Sequence, residues 1–409
     1  MEKKQNRRKF LRNSLLAATG SSFVLPSIAK SFGNNNPETE KQDFVYRTLG
    51  KTGIKLPIVS MGTGNTDNPN LIREALNRGV KLFATSEYYQ NGNNEKMLGK
   101  VFKDQPRDSF YIQTGAIGGI ELDYKNGLYK SGTDKDIYLE HANGCLKRLQ
   151  VDYVDIFILG FAARRESVFF KPLLKALEKF KKQGKTKYLG IGTHSFQPEA
   201  IRAAADTGIY DVVMTAYNFR MNNIDEINNA IEYAAGKGLG VIAMKTMAGA
   251  YWDKERTKPI NTRAALKWVL QNENIHTSVP DCTNLDQLYQ DLDLMADPEL
   301  TKEEKSDLKP PSEGLSAGIY CQQCASCIPQ CPEGLDIPTI MRSYMYAYGY
   351  KNLAQAQQTL KSTHIPESPC SGCSVCTVDC SMDFDIKRKV SDICRLGNVP
   401  ADLIGSFST

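Results

Sequence analysis

The sequence predicts an α/β chain: a (β/α)8 TIM barrel followed by a small, mostly α domain organised around eight cysteines. Three observations predict it. Short β-branched runs alternate with longer amphipathic ones from Val45 to about Asp297. The alternation completes eight rounds in about 250 residues, the usual size of such a barrel. Eight of the eleven cysteines fall between Cys321 and Cys380, at intervals that suit metal better than scattered disulfides. With 409 residues, 41% hydrophobic and 24% charged, the chain exceeds one ordinary core and has the composition of folded protein.

Residues 1–33 read as an export signal. Asn6-Arg7-Arg8-Lys9-Phe10-Leu11-Arg12 matches the twin-arginine pattern, which implies the twin-arginine translocase as a partner and the periplasm as destination. The weakly apolar Asn13–Ala29 stretch follows directly and is too short and too polar for a stable transmembrane anchor. Pro26-Ser27-Ile28-Ala29 supplies small residues near a cleavage point. Residues 34–43 read as a polar linker. Residues 1–29 hold six Lys or Arg against Glu2 alone, so the formal charge of +5 sits there, and the remainder carries 45 basic and 45 acidic residues. That balance predicts no nucleic-acid partner.

The barrel is expected over 44–297. Its candidate strands are 56–62, 81–86, 109–114, 153–160, 186–192, 211–217, 239–245 and 275–280. Helical spacing of apolar residues marks Asn70–Arg78, Phe170–Gln183, Pro198–Thr207 and Thr262–Asn272. The alternative, a doubly wound open sheet, lacks its Gly-x-Gly-x-x-Gly after the first strand.

Tyr46-Arg47-Thr48-Leu49-Gly50-Lys51-Thr52-Gly53 and Leu56 to Gly64, with Ser86-Glu87-Tyr88-Tyr89 and Asn94 to Gly99, resemble the opening of the aldo/keto reductases. Asp152 to Asp155, Gly190-Ile191-Gly192-Thr193-His194-Ser195 and Ala264 to Leu270 continue the likeness. Together with the cysteine-rich tail, the chain resembles the iron–sulfur branch of that family. The resemblance implies carbonyl reduction by a nicotinamide hydride and a Tyr, Asp, Lys, His set at the barrel mouth. In that set a tyrosine protonates the nascent alkoxide, and a lysine held by the aspartate lowers its pKa. Tyr89 stands at the tyrosine position, but Ala84, Gly115 and Gly160 stand where the aspartate, lysine and histidine belong. Tyr89 then reads either as an acid or as an aromatic lining a pocket. Ala84, Gly115 and Gly160 are expected to leave room for a bulkier ligand.

Other polar residues near strand ends are Glu87, His194, Asn218 and Lys245. Tyr89, His194 and Lys245 are the candidate catalytic groups, and Asn218 is the candidate cofactor-binding group. The resemblance implies NADP(H). Against it, Asp281 and Gln287 occupy the last barrel loop and its helix, where basic residues would hold a 2′-phosphate.

The tail, 298–409, contains Cys321-x2-Cys324-x2-Cys327-x3-Cys331-Pro332 and, repeated, Cys370-x2-Cys373-x2-Cys376-x3-Cys380-Ser381. This is the bacterial ferredoxin run, in which the fourth cysteine ligates the other cluster. It predicts a ferredoxin-type domain with two [4Fe-4S] clusters, one on Cys321, Cys324, Cys327 and Cys380, the second on Cys370, Cys373, Cys376 and Cys331. Zinc ribbons use paired Cys-x2-Cys rather than triplets. Disulfides would require a chain exported without its clusters, whereas the twin-arginine route moves folded proteins. Cys145, Cys282 and Cys394 read as small buried hydrophobes. Ile337–Lys361, rich in tyrosine, reads as a helix docking the cluster unit on the barrel. The function expected is an exported oxidoreductase passing electrons between the clusters, an unidentified redox partner and a small molecule at the barrel mouth. The alternative is a non-enzymatic electron carrier or binding protein with the barrel as scaffold.

Overall fold

The structure, a computed structural model, describes residues 43–310 and 318–404. The export signal and its arginine pair lie outside the described residues. An antiparallel hairpin, β1 (Tyr46–Thr48) with β2 (Lys55–Pro57), precedes the barrel. Parallel strands β3 (Met61–Gly62), β4 (Leu82–Ala84) and β5 (Tyr111–Thr114) follow, then a small antiparallel hairpin of β6 (Leu122–Asp123) and β7 (Leu128–Tyr129). The barrel continues through β8 (Val154–Gly160), β9 (Thr186–Thr193), β10 (Val212–Ala216), β11 (Gly240–Met244) and β12 (Thr277–Ser278). Parallel bridges Val59↔Ser278 and Gly62↔Asp281 bring the last strand back to the first.

Each expected strand has its counterpart, with one correction. The run 56–62 serves two sheets: its start pairs with β1, and only Met61–Gly62 joins the barrel. Pro57 lacks an N–H and ends the hairpin strand. The hairpin also plugs the barrel, for Leu49, Ile54 and Leu56 pack with Leu82, Ile156, Val212 and Ile242 in the interior. Burial of each such side chain is worth roughly 1.5–3 kcal/mol.

The helices start where capping residues permit. Asn68 accepts from Asn70 N before Pro69–Asn77, and Asn261 accepts from Ala264 N before Thr262–Leu270. Helix Lys302–Asp307 carries a capping box of Thr301 and Glu304. The buried Lys267 donates to Asp297 at 3.2 Å and to Glu304 at 3.3 Å, so packing on the barrel continues past residue 297.

In the tail, Asp336 and Asp385 follow the two cysteine runs at matching positions and both cap a helix, Ile337–Tyr344 and Ile386–Cys394. The expected single helix 337–361 is broken. Ile337–Tyr344 passes into a π-helical turn at Met345–Gly349, and a new helix, Leu353–Lys361, starts at the Asn352 cap. Gly349 permits the break, because a Cβ there would stand 2.9 Å from Gly249 O, and Lys351 at φ 53° turns the chain. Tyr88 Oη and Thr359 Oγ1, 2.8 Å apart, Asn352 Nδ2 donating to Asn65 Oδ1 at 2.7 Å, and Lys254 paired with Asp392 at 2.6 Å fasten the tail over the C-terminal ends of the strands.

Candidate redox centre and ligand cavity

The tail folds its cysteines crosswise. Burial first, then the neighbouring thiols of Cys327, Cys324 and Cys380, raise the pKa of Cys321. Burial, then Cys376, Cys331 and Cys373, raise that of Cys370, and those four cysteines line one recess. The fourth cysteine of each run thus stands with the other run's triplet. Neither group converges on a point: among the described residues no group of His, Cys, Asp or Glu is drawn together around a single metal ion. The all-sulfur donors fit iron–sulfur clusters. Left-handed Gln323 (φ 61°) and Ala325 (φ 63°) wrap the first loop. Ser381, which replaces the proline of the first run, places its hydroxyl 3.2 Å from Cys324 Sγ and accepts from Gln322 Nε2 at 3.1 Å.

Beside this unit, a cavity of about 460 Å³ occupies the C-terminal mouth of the barrel, where such barrels hold their ligands. Ala84, Gly115, Gly160 and Gly192 line its floor, and Arg342, Tyr346 and Tyr350 of the tail close it from above. The expectation of added room holds at Gly160, where a Cβ would meet nothing within 4 Å. It fails at Gly115, where a Cβ would stand 2.3 Å from Ile158 O, because β5 and β8 approach too closely. The glycine there is required by strand packing.

Tyr89, His194 and Lys245 all line the cavity. Tyr89 packs flat on Gly64, its ring 3.1 Å from where a Cβ would stand. Burial, then Asp281, Tyr346 and Tyr88, push its pKa far above the ordinary value, which makes the unassisted phenol a weak acid. His194 stacks on Phe161 at 5.9 Å, and its buried Nδ1 has no hydrogen-bond partner among the described residues. Burial, then Arg342 and Lys245, hold the imidazole well below its usual pKa and so neutral. Lys245 adopts the left-handed region (φ 59°) and places Nζ 4.8 Å from the Tyr346 ring centre and 5.7 Å from that of Tyr350.

Asn218 is fully buried and absent from the cavity wall. Its Nδ2 donates to Lys245 O at 3.1 Å and its Oδ1 accepts from Arg220 N at 3.1 Å, so it fixes the turn that aims Lys245. Glu87 accepts from Ile117 N, Gly118 N and His141, and organises the loop after β5.

Sequence reasoning missed the roles of Phe161, Arg342, Tyr346 and Tyr350, and read Asp281 only as unfavourable to a 2′-phosphate. Asp281 accepts from Gly64 N at 3.2 Å and Asn65 Nδ2 at 2.6 Å. Its exposed surface opens into the cavity while protein surrounds it. Burial raises its pKa and Lys245 most strongly opposes that. Phe161 (φ 63°) turns beneath Arg342 at 5.8 Å. The alternating Tyr344, Tyr346, Tyr348 and Tyr350 were the available signal for a two-sided segment.

A dinucleotide's 2′-phosphate finds poor partners. The cavity's far end offers Thr283, Gln287, Gln290 and Asp291, with Arg256 donating to Tyr251 Oη at 2.9 Å and lying 4.4 Å from its ring centre. A carboxylate and amides do not supply the paired cations such a phosphate calls for.

Residues 61–264 match the aldo/keto reductase family, and residues 320–385 match the 4Fe-4S dicluster domain. L-galactose dehydrogenase of Arabidopsis thaliana is 30% identical over 220 residues, 49% of this chain and 65% of that protein. NADH-specific methylglyoxal reductase of Escherichia coli (strain K12) is 28% identical over 196 residues, 42% of this chain and 58% of its own length. The chain thus spans less than two thirds of these relatives. An aldo-keto reductase from Bacillus halodurans, in its holo form, superposes with a TM-score of 0.53 at 20% identity, over 64% of this chain and 95% of that one, which shows a shared fold. By its barrel, its sulfur donors and these matches, the chain carries an aldo/keto reductase domain joined to a C-terminal 4Fe-4S dicluster domain.

Proposed function

We propose that this protein is an exported iron–sulfur oxidoreductase in which electrons pass between two [4Fe-4S] clusters and a small-molecule ligand at the barrel mouth. One observation carries the reading: Cys321, His194 and Lys245 line one small recess, so a single layer of side chains separates the first sulfur group from the cavity. Clusters held by the eight cysteines would supply one-electron chemistry there. Tail residues Arg342, Tyr346 and Tyr350 wall one side of the mouth, while His194, neutral, and Asp281 offer polar contacts to a ligand. The relatives' names, a dehydrogenase of L-galactose and a reductase of methylglyoxal, support a small organic ligand. The twin-arginine pair supports export after cluster assembly.

Ordinary NADPH-dependent carbonyl reduction is not part of this proposal, because Ala84, Gly115 and Gly160 replace three of the acid–base groups. Each such group is typically worth on the order of a hundredfold or more. The test supplies holoprotein with reduced methyl viologen or NADPH and a panel of small carbonyl compounds. Viologen-linked turnover with NADPH at background supports the proposal. NADPH-driven turnover matching the viologen rate would overturn it.

A further inference from the structure

We propose that the covered mouth is a binding site for an organic monocarboxylate, its carboxylate set among Lys245, Arg342 and His194 and its body on the aromatic wall. The reason is that, among the described residues, neither of these two cations is held in a direct ion pair. Arg342 is 8% exposed, yet among the described residues its only hydrogen-bond acceptors are neutral, Gln323 Oε1 and Thr339 Oγ1, each at 3.4 Å. Its other neighbours are ring faces, Tyr124 at 5.5 Å and Phe161 at 5.8 Å, and the Asp336 carboxylate, which acts on it through space without forming an ion pair and accepts from Thr339 N. Among the described residues Lys245 makes no ion pair: the Asp281 carboxylate acts on it only through space, and its ammonium lies over tyrosine rings. His194 Nδ1, buried beside them, has no hydrogen-bond partner among the described residues. Burying cations and a polar nitrogen without an anion is costly, and a carboxylate would satisfy all three. Lys245 and Phe161 both hold left-handed backbone that bulky residues avoid, and such strain persists at ligand sites.

The carboxylates already present do not complete the set. Asp281 oxygens are taken by Gly64 N and Asn65 Nδ2, and Asp291 accepts from Cys282 Sγ at 3.3 Å. Asp281 also disfavours a dianionic phosphate, which favours a single negative charge. Tyr88, Tyr89, Phe161 and Tyr350 give the apolar faces that an organic body requires. That this occupant is the molecule oxidised or reduced rests on the function proposed above. The binding site itself does not.

Calorimetric titration of the holoprotein with benzoate, against neutral benzamide of the same shape, tests the site. Benzoate is expected to bind at least about tenfold tighter, as a charge-assisted contact provides. Lys245→Met and Arg342→Gln are each expected to remove that preference while iron content and thermal midpoint stay at wild-type values. Should Arg342→Gln fail to fold, Lys245→Met alone decides. Equal binding of benzamide, binding of neither probe, or a preference that survives Lys245→Met overturns the proposal. NADPH that displaces benzoate in a Lys245-dependent manner would overturn it too, by assigning the cations to a dinucleotide phosphate. Viologen-linked turnover without benzoate binding faults the carboxylate site alone. Benzoate binding without such turnover faults the redox reading alone.

Discussion

Crosswise ligation makes the sharpest prediction, because a local substitution should act at a distance along the chain. Cys331 belongs to the run that begins at Cys321, yet it lines the recess of Cys370, Cys373 and Cys376. Cys331→Ala should therefore damage the remote cluster and spare the one served by Cys321, Cys324, Cys327 and Cys380. Two [4Fe-4S] clusters hold about eight irons per chain, so the variant should lose between about one and about four. Adding Cys373→Ala strikes the same cluster again and should leave about four irons with one intact signal. Adding Cys324→Ala instead strikes the second cluster and should impair both. Iron analysis and electron paramagnetic resonance of the reduced holoprotein read the outcome. If the Cys331/Cys373 pair impairs both clusters and the Cys331/Cys324 pair spares one, ligation is local and the crosswise arrangement is wrong.

Three further outcomes are expected. Gly115→Ala should destabilise by about 1–3 kcal/mol through overpacking against Ile158 O, whereas Gly160→Ala should stay within about 0.5 kcal/mol; equal thermal midpoints would refute the distinction. Burial raises the Asp291 pKa to about 7, so the folded state retains a proton that the unfolded state releases, and the contribution of Asp291 to stability should fall as pH rises from about 4 to about 7. Asp291→Asn should flatten that fall, by an amount of order 1–4 kcal/mol, and parallel stability–pH curves for the two proteins would count against it. Changing Arg7 and Arg8 together to Lys should leave folded, cluster-bearing protein in the cytosol, and unchanged periplasmic protein after fractionation would remove the export reading.

The sequence alone was enough for what depends on near neighbours in the chain. The alternation of β-branched and amphipathic runs located all eight barrel strands, because each pleat and helix face is written in periods of two and 3.6 residues. The cysteine triplets marked two equivalent loops; that Asp336 and Asp385 cap the helices after them came from the structure. Tertiary structure decided what depends on distant meetings. Only packing shows that the run 56–62 is divided between a plug and the barrel, and that Gly115 is locked beside Ile158 while Gly160 is open. Nor does any local period place Arg342, Tyr346 and Tyr350 over a cavity whose floor is built from residues such as Ala84 and Gly160, some two hundred residues earlier. A π-helical turn and the break at Lys351 aim that segment, and their consequence exists only once the tail is docked.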